Sequence, residues 1–280
     1  MAVGTQEVAT RYSEADWTDF AHTGPGTLAG RYMRMFWQPV CRSVDLPSGR
    51  AKPIRIMSED FTLYRGEEDP HPSPLPEGEG TAPLSTQHSA LSTAASTAAA
   101  HVLAFRCAHR GTQLSTGWVE GEDLRCFYHG WKYDASGQCI EQPAEPEPFC
   151  QKIHIRSYPT EEYLGLIFAY FGEGDPPPMV RYPDLEEGFD RGRYEIIIYP
   201  NAPCNYFNRI ENAVDESHLR FVHITTGYPG CPQIDAKETS YGIATRSVWS
   251  NGWINGAHYH MPNACQFKAS SREKIAWRVP

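Results

Sequence analysis

Two short stretches, Cys107-Ala-His109 and Cys126-Phe-Tyr-His129, constrain this chain more than anything else in it. Each offers one thiolate and one imidazole, and a glycine, Gly111 or Gly130, stands just beyond the histidine. Two such loops facing each other can enclose a metal centre. Two Cys and two His suit either a tetrahedral zinc or a [2Fe–2S] cluster in which one iron takes both thiolates and the other both imidazoles. Mixed zinc sites more often put Cys with Cys on one arm and His with His on the other. Here each arm carries one of each, so the spacing favours the cluster. The glycines let backbone amides come close to its sulfides.

The rest of the composition narrows the setting. At 280 residues the chain has room for one large domain or two ordinary ones. A net charge of −9 without clustered Lys or Arg argues against nucleic acid as a partner. No apolar run is long enough to span a bilayer, and Met1 to Phe20 is polar with no apolar signal core, so a soluble cytoplasmic protein is expected. The eight cysteines are scattered and do not form a disulfide framework. Beyond Cys107 and Cys126, the other six (Cys41, Cys139, Cys150, Cys204, Cys231 and Cys265) read as free thiols packed like small apolar side chains.

Along the chain, Gly26 to Trp37 predicts a short helix with Leu28, Tyr32, Met35 and Phe36 on one face, ended by Pro39. Strands are expected at Lys52–Met57 and Phe61–Arg65. Residues 67–100, rich in Pro, Gly, Ser, Thr and Ala, read as a disordered insertion looping out between two strands, because His101–Arg106 resumes the β pattern. His71 and His88 inside it are assigned no function. Leu114–Leu124 reads as a polar turn segment, and further strands are expected at Trp131–Tyr133, Ile153–Ser157 and Tyr163–Phe171, the last a core strand. Residues 173–190 read as a linker, followed by a strand at Arg193–Tyr199, a helix from Pro203 to about Leu219, and strands around Lys237–Ser250 and Asn263–Ala269. Tyr206, Trp249 and Trp253 read as core rather than pocket, and no internal repeat is apparent.

The helix after Pro203 carries a second constellation. Asn208, Glu211, Asp215 and His218 follow at intervals of three, four and three residues, and His223 lies five beyond His218. An amphipathic helix with a solvated side accounts for such a stripe by itself. The added imidazole at His223 does not fit a continuous helix, since positions five apart point about 140° away from each other. If the helix ends near Leu219–Phe221, His218 and His223 can share an iron with open positions. Asp215 is then placed to hydrogen-bond the His218 ring and fix its tautomer, with Glu211 and Asn212 as further outer partners.

With Cys107-x-His109, Cys126-x-x-His129 and Asp215-x-x-His218-x4-His223 in this order, the chain resembles the α subunit of a Rieske non-haem iron aromatic ring-hydroxylating oxygenase. The likeness is strongest to the phthalate dioxygenase-like and O-demethylase-like group, from about Gly26 onward except for the insertion. It implies an α+β chain: an N-terminal segment with a short helix over 1–35, an all-β Rieske domain over 36–172, and a catalytic domain over 191–280 built on an antiparallel sheet with helices, helix-grip-like and incomplete. It implies a [2Fe–2S] cluster on Cys107, His109, Cys126 and His129, and a mononuclear Fe(II) on His218 and His223. Electrons arrive from NAD(P)H through a reductase, and in some systems a ferredoxin, to activate O₂ against a small aromatic substrate. The resemblance also implies a homotrimer in which Asp215, the catalytic bridging residue, joins His218 to the partner subunit's His129. The family's third iron ligand is an acid far downstream. After His223 only Asp235, Glu238 and Glu273 remain, and none matches it by position, so the chain reads as a C-terminally truncated product.

Three other classes compare as follows. A respiratory-type protein of this cluster type carries an extra cysteine in each loop, where this chain has Thr112 and Tyr128, and a membrane helix. A small Rieske electron carrier would stop near Gly172 and lack the 205–223 residues; it is the alternative function, together with an inactive oxygenase fragment. A structural zinc module would be colourless.

Overall fold

The computed structural model describes residues 19–67, 98–192, 194–197, 203–269 and 272–277. Two compact units emerge: Pro39–Arg55 with Asp60–Tyr170, and Met1–Gln38 with Ile56–Glu59 and Phe171–Pro280. The class is α+β, with antiparallel pairing throughout the registered strands.

The first helix, α1 (Leu28–Arg34), begins where the Thr27 hydroxyl accepts the Gly30 amide at 3.0 Å. Its inward face is not the expected one. Ala29, Gly30 and Met33 are buried, while Leu28 and Met35 are exposed. Small residues set this choice, because a Cβ at Gly30 would run into the Thr23 and Gly24 carbonyls. Pro39 does not stop the helix. It sits in β1 (Trp37–Arg42), at the edge of a three-stranded sheet, where its missing N–H breaks no central ladder.

β2 (Ala51–Ile56) and β3 (Glu59–Arg65) form the expected hairpin, turned at Met57 and Ser58 with φ of 50° and 60°. Positive φ at both central residues matches the right-handed twist of the flanking strands. β3 pairs with β4 (Ala100–Ala104), Arg65 opposite Ala100. Most of the 67–100 insertion, 68–97, lies outside the described residues, as do His71 and His88. A four-stranded meander follows: β5 (Trp118–Glu120), β6 (Asp123–Arg125), β7 (Lys132–Tyr133) and β8 (Cys139–Glu141). β5 falls in the segment read as a polar turn. The strand expected over Ile153–Ser157 shrinks to a bridge at His154 and to β9 (Ser157–Tyr158).

The stretch Tyr163–Phe171 is not one strand. β10 (Thr160–Tyr163) turns at Leu164 and Gly165, with φ of 50° and 71°, into β11 (Leu166–Tyr170). Ile167, Phe168, Ala169 and Tyr170 are all buried, so β11 is covered on both faces as its unbroken apolar run requires. The core of this unit gathers Tyr64, Leu103, Leu114, Leu124, Trp131 and Tyr133 around Cys107 and Cys126. Each large apolar side chain removed from water contributes about 2 kcal/mol.

In the second unit, the segment read as linker contains α2 (Pro183–Asp190), with Pro183 in its first turn. Residues 194–197 form no strand; Arg193 and 198–200 lie outside the described residues. α3 (Tyr206–Val214) is capped by Asn205, whose side chain accepts the Phe207 amide at 2.8 Å. It ends at Asp215 rather than near Leu219. A separate turn of helix, α4 (Leu219–Val222), comes after the break. Then β12 (Gln233–Thr239), β13 (Gly242–Val248), β14 (Ile254–His260), β15 (Ala264–Ala269) and β16 (Arg272–Trp277) form a five-stranded antiparallel meander. β14 and β16 lie outside the strands expected from sequence. Tyr206 and Ile210 of α3 are buried, one turn apart, as is Trp249; Trp253 is exposed, not core. The N-terminal segment belongs to this unit: Tyr206 Oη donates to Phe20 O at 2.8 Å, and Asn205 Nδ2 to Ala21 O at 2.9 Å. Among the described residues no helix is long and apolar enough to cross a membrane.

Candidate metal centre

Cys107 and Cys126 each begin a tight loop, and the two loops share one backbone plan. The Gly111 amide donates to Cys107 O at 3.0 Å, and the Gly130 amide to Cys126 O at 3.1 Å. The two cysteine amides donate to the carbonyls five residues on, of Thr112 and Trp131, both at 2.8 Å. Gly111 and Gly130 have φ of 70° and 72°. An arginine before each cysteine reaches over its loop: Arg106 Nη1 donates to Gly111 O at 2.7 Å, Arg125 Nη1 to Gly130 O at 2.8 Å. The sequence therefore does hold a short repeat, Arg-Cys-x-x-x-Gly, at 106–111 and 125–130. Matching glycines and arginines at fixed offsets was the signal that could have revealed it.

The repeat brings four donors together. The two thiols are buried, at 3% and 2% exposure. The His109 and His129 rings are 4.5 Å apart between centroids. A hydrogen bond between the thiols pulls the Cys126 pKa below the usual thiol range and pushes that of Cys107 up. His109 Nδ1 is buried with no hydrogen-bond partner, so a ring nitrogen stands ready for a ligand. These donors fit an iron–sulfur cluster bound between two loop tips.

Three residues not singled out from the sequence complete the surroundings. The Trp131 ring stacks on His109 at 4.7 Å and 6°. Tyr133 Oη lies 3.2 Å from Cys107 Sγ and accepts the Ala108 amide at 3.1 Å. Glu145 Oε1 lies 3.9 Å from His109 Nε2. Trp131 and Tyr133, two residues apart on the extended chain after Gly130, face the same core, and that spacing was the available signal.

The second constellation is grouped, though not as one helical stripe. The break at Asp215 turns the chain so that the His218 and His223 rings stand 5.5 Å apart. His218 Nδ1 is 3.8 Å from Asp215 Oδ2 and has no hydrogen-bond partner; its Nε2 is 3.3 Å from Asn212 Nδ2. Asp215 Oδ1 accepts the Ser217 amide at 2.8 Å, which holds the carboxylate at the break. Glu211 is exposed on α3. Glu216, not singled out from the sequence, is buried and accepts Asn255 Nδ2 at 3.2 Å. Among the described residues no group of three or more His, Cys, Asp or Glu converges to hold a single metal ion, so no third donor joins His218 and His223 there.

Residues 36–159 match the family model of the Rieske [2Fe-2S] domain. The chain is 28% identical over 272 residues to the oxygenase subunit of 5,5'-dehydrodivanillate O-demethylase from Sphingobium sp., covering 85% of this chain and 57% of that protein. It is 32% identical over 214 residues to the α subunit of phenoxybenzoate dioxygenase from Ectopseudomonas oleovorans, covering 71% and 45%. The chain therefore carries a Rieske domain and is homologous to Rieske oxygenase α subunits. As a Rieske chain it carries a domain that binds a [2Fe–2S] cluster. Among solved structures, Pseudomonas putida CBB5 NdmB shares the fold, with a TM-score of 0.59 at 21% identity over 87% of this Rieske chain and 68% of that one. The chain spans about half the length of these curated relatives.

Proposed function

We propose that this chain is the terminal oxygenase component of a Rieske system that hydroxylates or demethylates a small aromatic substrate with O₂. Cys107 and Cys126 hold one iron of the cluster, His109 and His129 the other, and His218 with His223 hold a mononuclear Fe(II). The electron donor is a reductase using NAD(P)H, with or without a ferredoxin between them, which places the protein in the cytoplasm. The assembly is a homotrimer in which Asp215 meets the partner subunit's His129. The reading rests on one conjunction: a two-Cys, two-His loop pair and two imidazoles 5.5 Å apart beside a carboxylate, on a single chain.

When bound, the cluster supplies one-electron transfer and the iron supplies O₂ activation. The chain's own groups orient and insulate them. Trp131 fixes the plane of His109 by stacking. The Tyr133 hydroxyl supplies a donor to the Cys107 sulfur. Asp215 Oδ2, 3.8 Å from His218 Nδ1, stands beside that ring and would orient it.

Iron content and EPR test this. The protein is expected to carry about three irons per chain, two in the cluster and one outside it. His218→Ala should lower this to about two and leave the reduced-cluster EPR signal unchanged. Undiminished iron in that variant would remove the 218/223 site and leave an electron carrier. Asp215→Asn should keep all the iron and lose about tenfold or more in turnover; full turnover would remove the bridging role.

A further inference from the structure

Cys139 and Cys150 form a second thiol pair that the cluster does not use. One amide holds their backbones: Gln138 Nε2 donates to the carbonyls of Cys139 at 3.0 Å, Cys150 at 2.8 Å and Ile153 at 2.9 Å. Cys139 N donates to Ile153 O at 3.0 Å, and Ile153 N to Cys150 O at 2.9 Å. This knot sets the two thiols near enough to act on each other, while Cys139 Sγ donates to Glu141 O at 3.6 Å. Cys139 is buried at 1% exposure, and Cys150 is half-buried at the margin of the same core.

The chain between them, Ile140–Phe149, lies on the cluster loops. Glu145 comes within 3.9 Å of His109 Nε2, Pro143 sits against Gly130, and Phe149 packs edge-on to Trp131 at 5.6 Å. A further bond, Phe149 N to Gln142 Oε1 at 2.6 Å, closes the neck of this loop just inside the two cysteines.

We propose that Cys139 and Cys150 are a peroxide-sensitive dithiol whose disulfide staples the neck of the 140–149 loop over His109. The pairing stands on the hydrogen bonds that hold both backbones to Gln138; only its bearing on the cluster rests on the ligand assignment above. The more accessible Cys150 thiol attacks the peroxide, the O–O bond breaks, and Cys150 sulfenic acid and water form. The Cys139 sulfur then attacks the Cys150 sulfur. An S–S bond replaces the S–O bond, and the hydroxyl leaves with the Cys139 proton as a second water. Two thiols are oxidised by two electrons in all, and one peroxide is reduced. Burial pushes the Cys139 thiol up to about 12, which keeps it protonated and second in the sequence.

The test treats the cluster-loaded protein with a small molar excess of hydrogen peroxide, then denatures, alkylates and digests it. Trypsin releases Tyr133–Lys152 with both cysteines and no internal Lys or Arg. That peptide should emerge lighter by two hydrogens, with its alkylation reduced at least tenfold and restored by dithiothreitol. Full alkylation at doses that oxidise the exposed Cys204 and Cys231 overturns the proposal. So does loss of the cluster's visible absorption before the peptide changes. In Cys150→Ser, Cys139 should remain alkylatable at the same dose; oxidation of Cys139 there overturns the assigned order of attack.

Discussion

Tyr133 sets its hydroxyl 3.2 Å from the Cys107 sulfur, and burial pushes its phenol well above the usual range, so it stays a donor at any physiological pH. A hydrogen bond to a ligating sulfur strengthens when the cluster gains an electron, which raises the reduction potential. Tyr133→Phe should therefore lower the midpoint potential by about 40 mV, the equivalent of about 1 kcal/mol for one such bond in a one-electron couple. A potentiometric titration reads this directly, and an unchanged or higher potential would contradict it. The same scale shows where reading residue types ran short. Cys204 and Cys231, expected to pack as small apolar groups, are exposed, because each sits in loop rather than core. Glu216 is an acid, yet it is buried. Neither follows from residue identity, since burial is a property of the surroundings.

The paired cluster loops separate two costs of replacing glycine. At Gly111 the left-handed φ is the main obstacle, the nearest atom to an added Cβ being Arg106 Cδ at 4.0 Å. Gly111→Ala should cost about 1 kcal/mol. At Gly130 the same φ applies, and a Cβ would also lie 2.9 Å from Pro143 Cγ. Gly130→Ala should cost roughly 1–3 kcal/mol more and lower cluster incorporation, as seen in denaturant midpoints and visible absorption. Equal midpoints for the two variants would refute the difference. The β5–β8 meander carries its own acid dependence. Arg125 hydrogen-bonds Glu120 and holds its carboxyl down to about 2, from an ordinary value of 4.5. A folded-state pKa depressed in this way contributes stability that is present above about pH 4.5 and lost as pH falls toward 2. Glu120→Gln should flatten unfolding midpoints across that acid window; an unchanged slope would place the dependence on other carboxylates. At this scale sequence periodicity found β2, β3, β4 and β15, yet it joined β10 to β11 and β12 to β13 and ran α3 through Asp215. Leu164 at positive φ and an extended Asp215 leave no residue signature, because either residue also fits the regular element it interrupts.

At the scale of the molecule, distant segments are tied by buried amides. Asn263 Nδ2 donates to Gln38 Oε1 at 2.7 Å, and Gln38 Nε2 donates to Met33 O at 2.8 Å. Gln38 and Asn263 are buried at 0% and 2% exposure. Gln38→Ala strands both partners away from water and should cost about 2–5 kcal/mol in urea unfolding, more than an exposed glutamine would. A loss under about 0.5 kcal/mol, ordinary for a surface change, would show that the tie is not needed. That Cys107, His109, Cys126 and His129 gather, and that His218 gathers with His223, was legible in the sequence because metal chemistry limits which side chains can serve and how far apart they can lie. The inward face of α1, the hairpin hidden in β10–β11, the Arg-Cys-x-x-x-Gly plan of the two loops and the Cys139–Cys150 pair were decided only by tertiary structure. Each depends on which backbone approaches which, and that is set by packing between residues far apart in the chain.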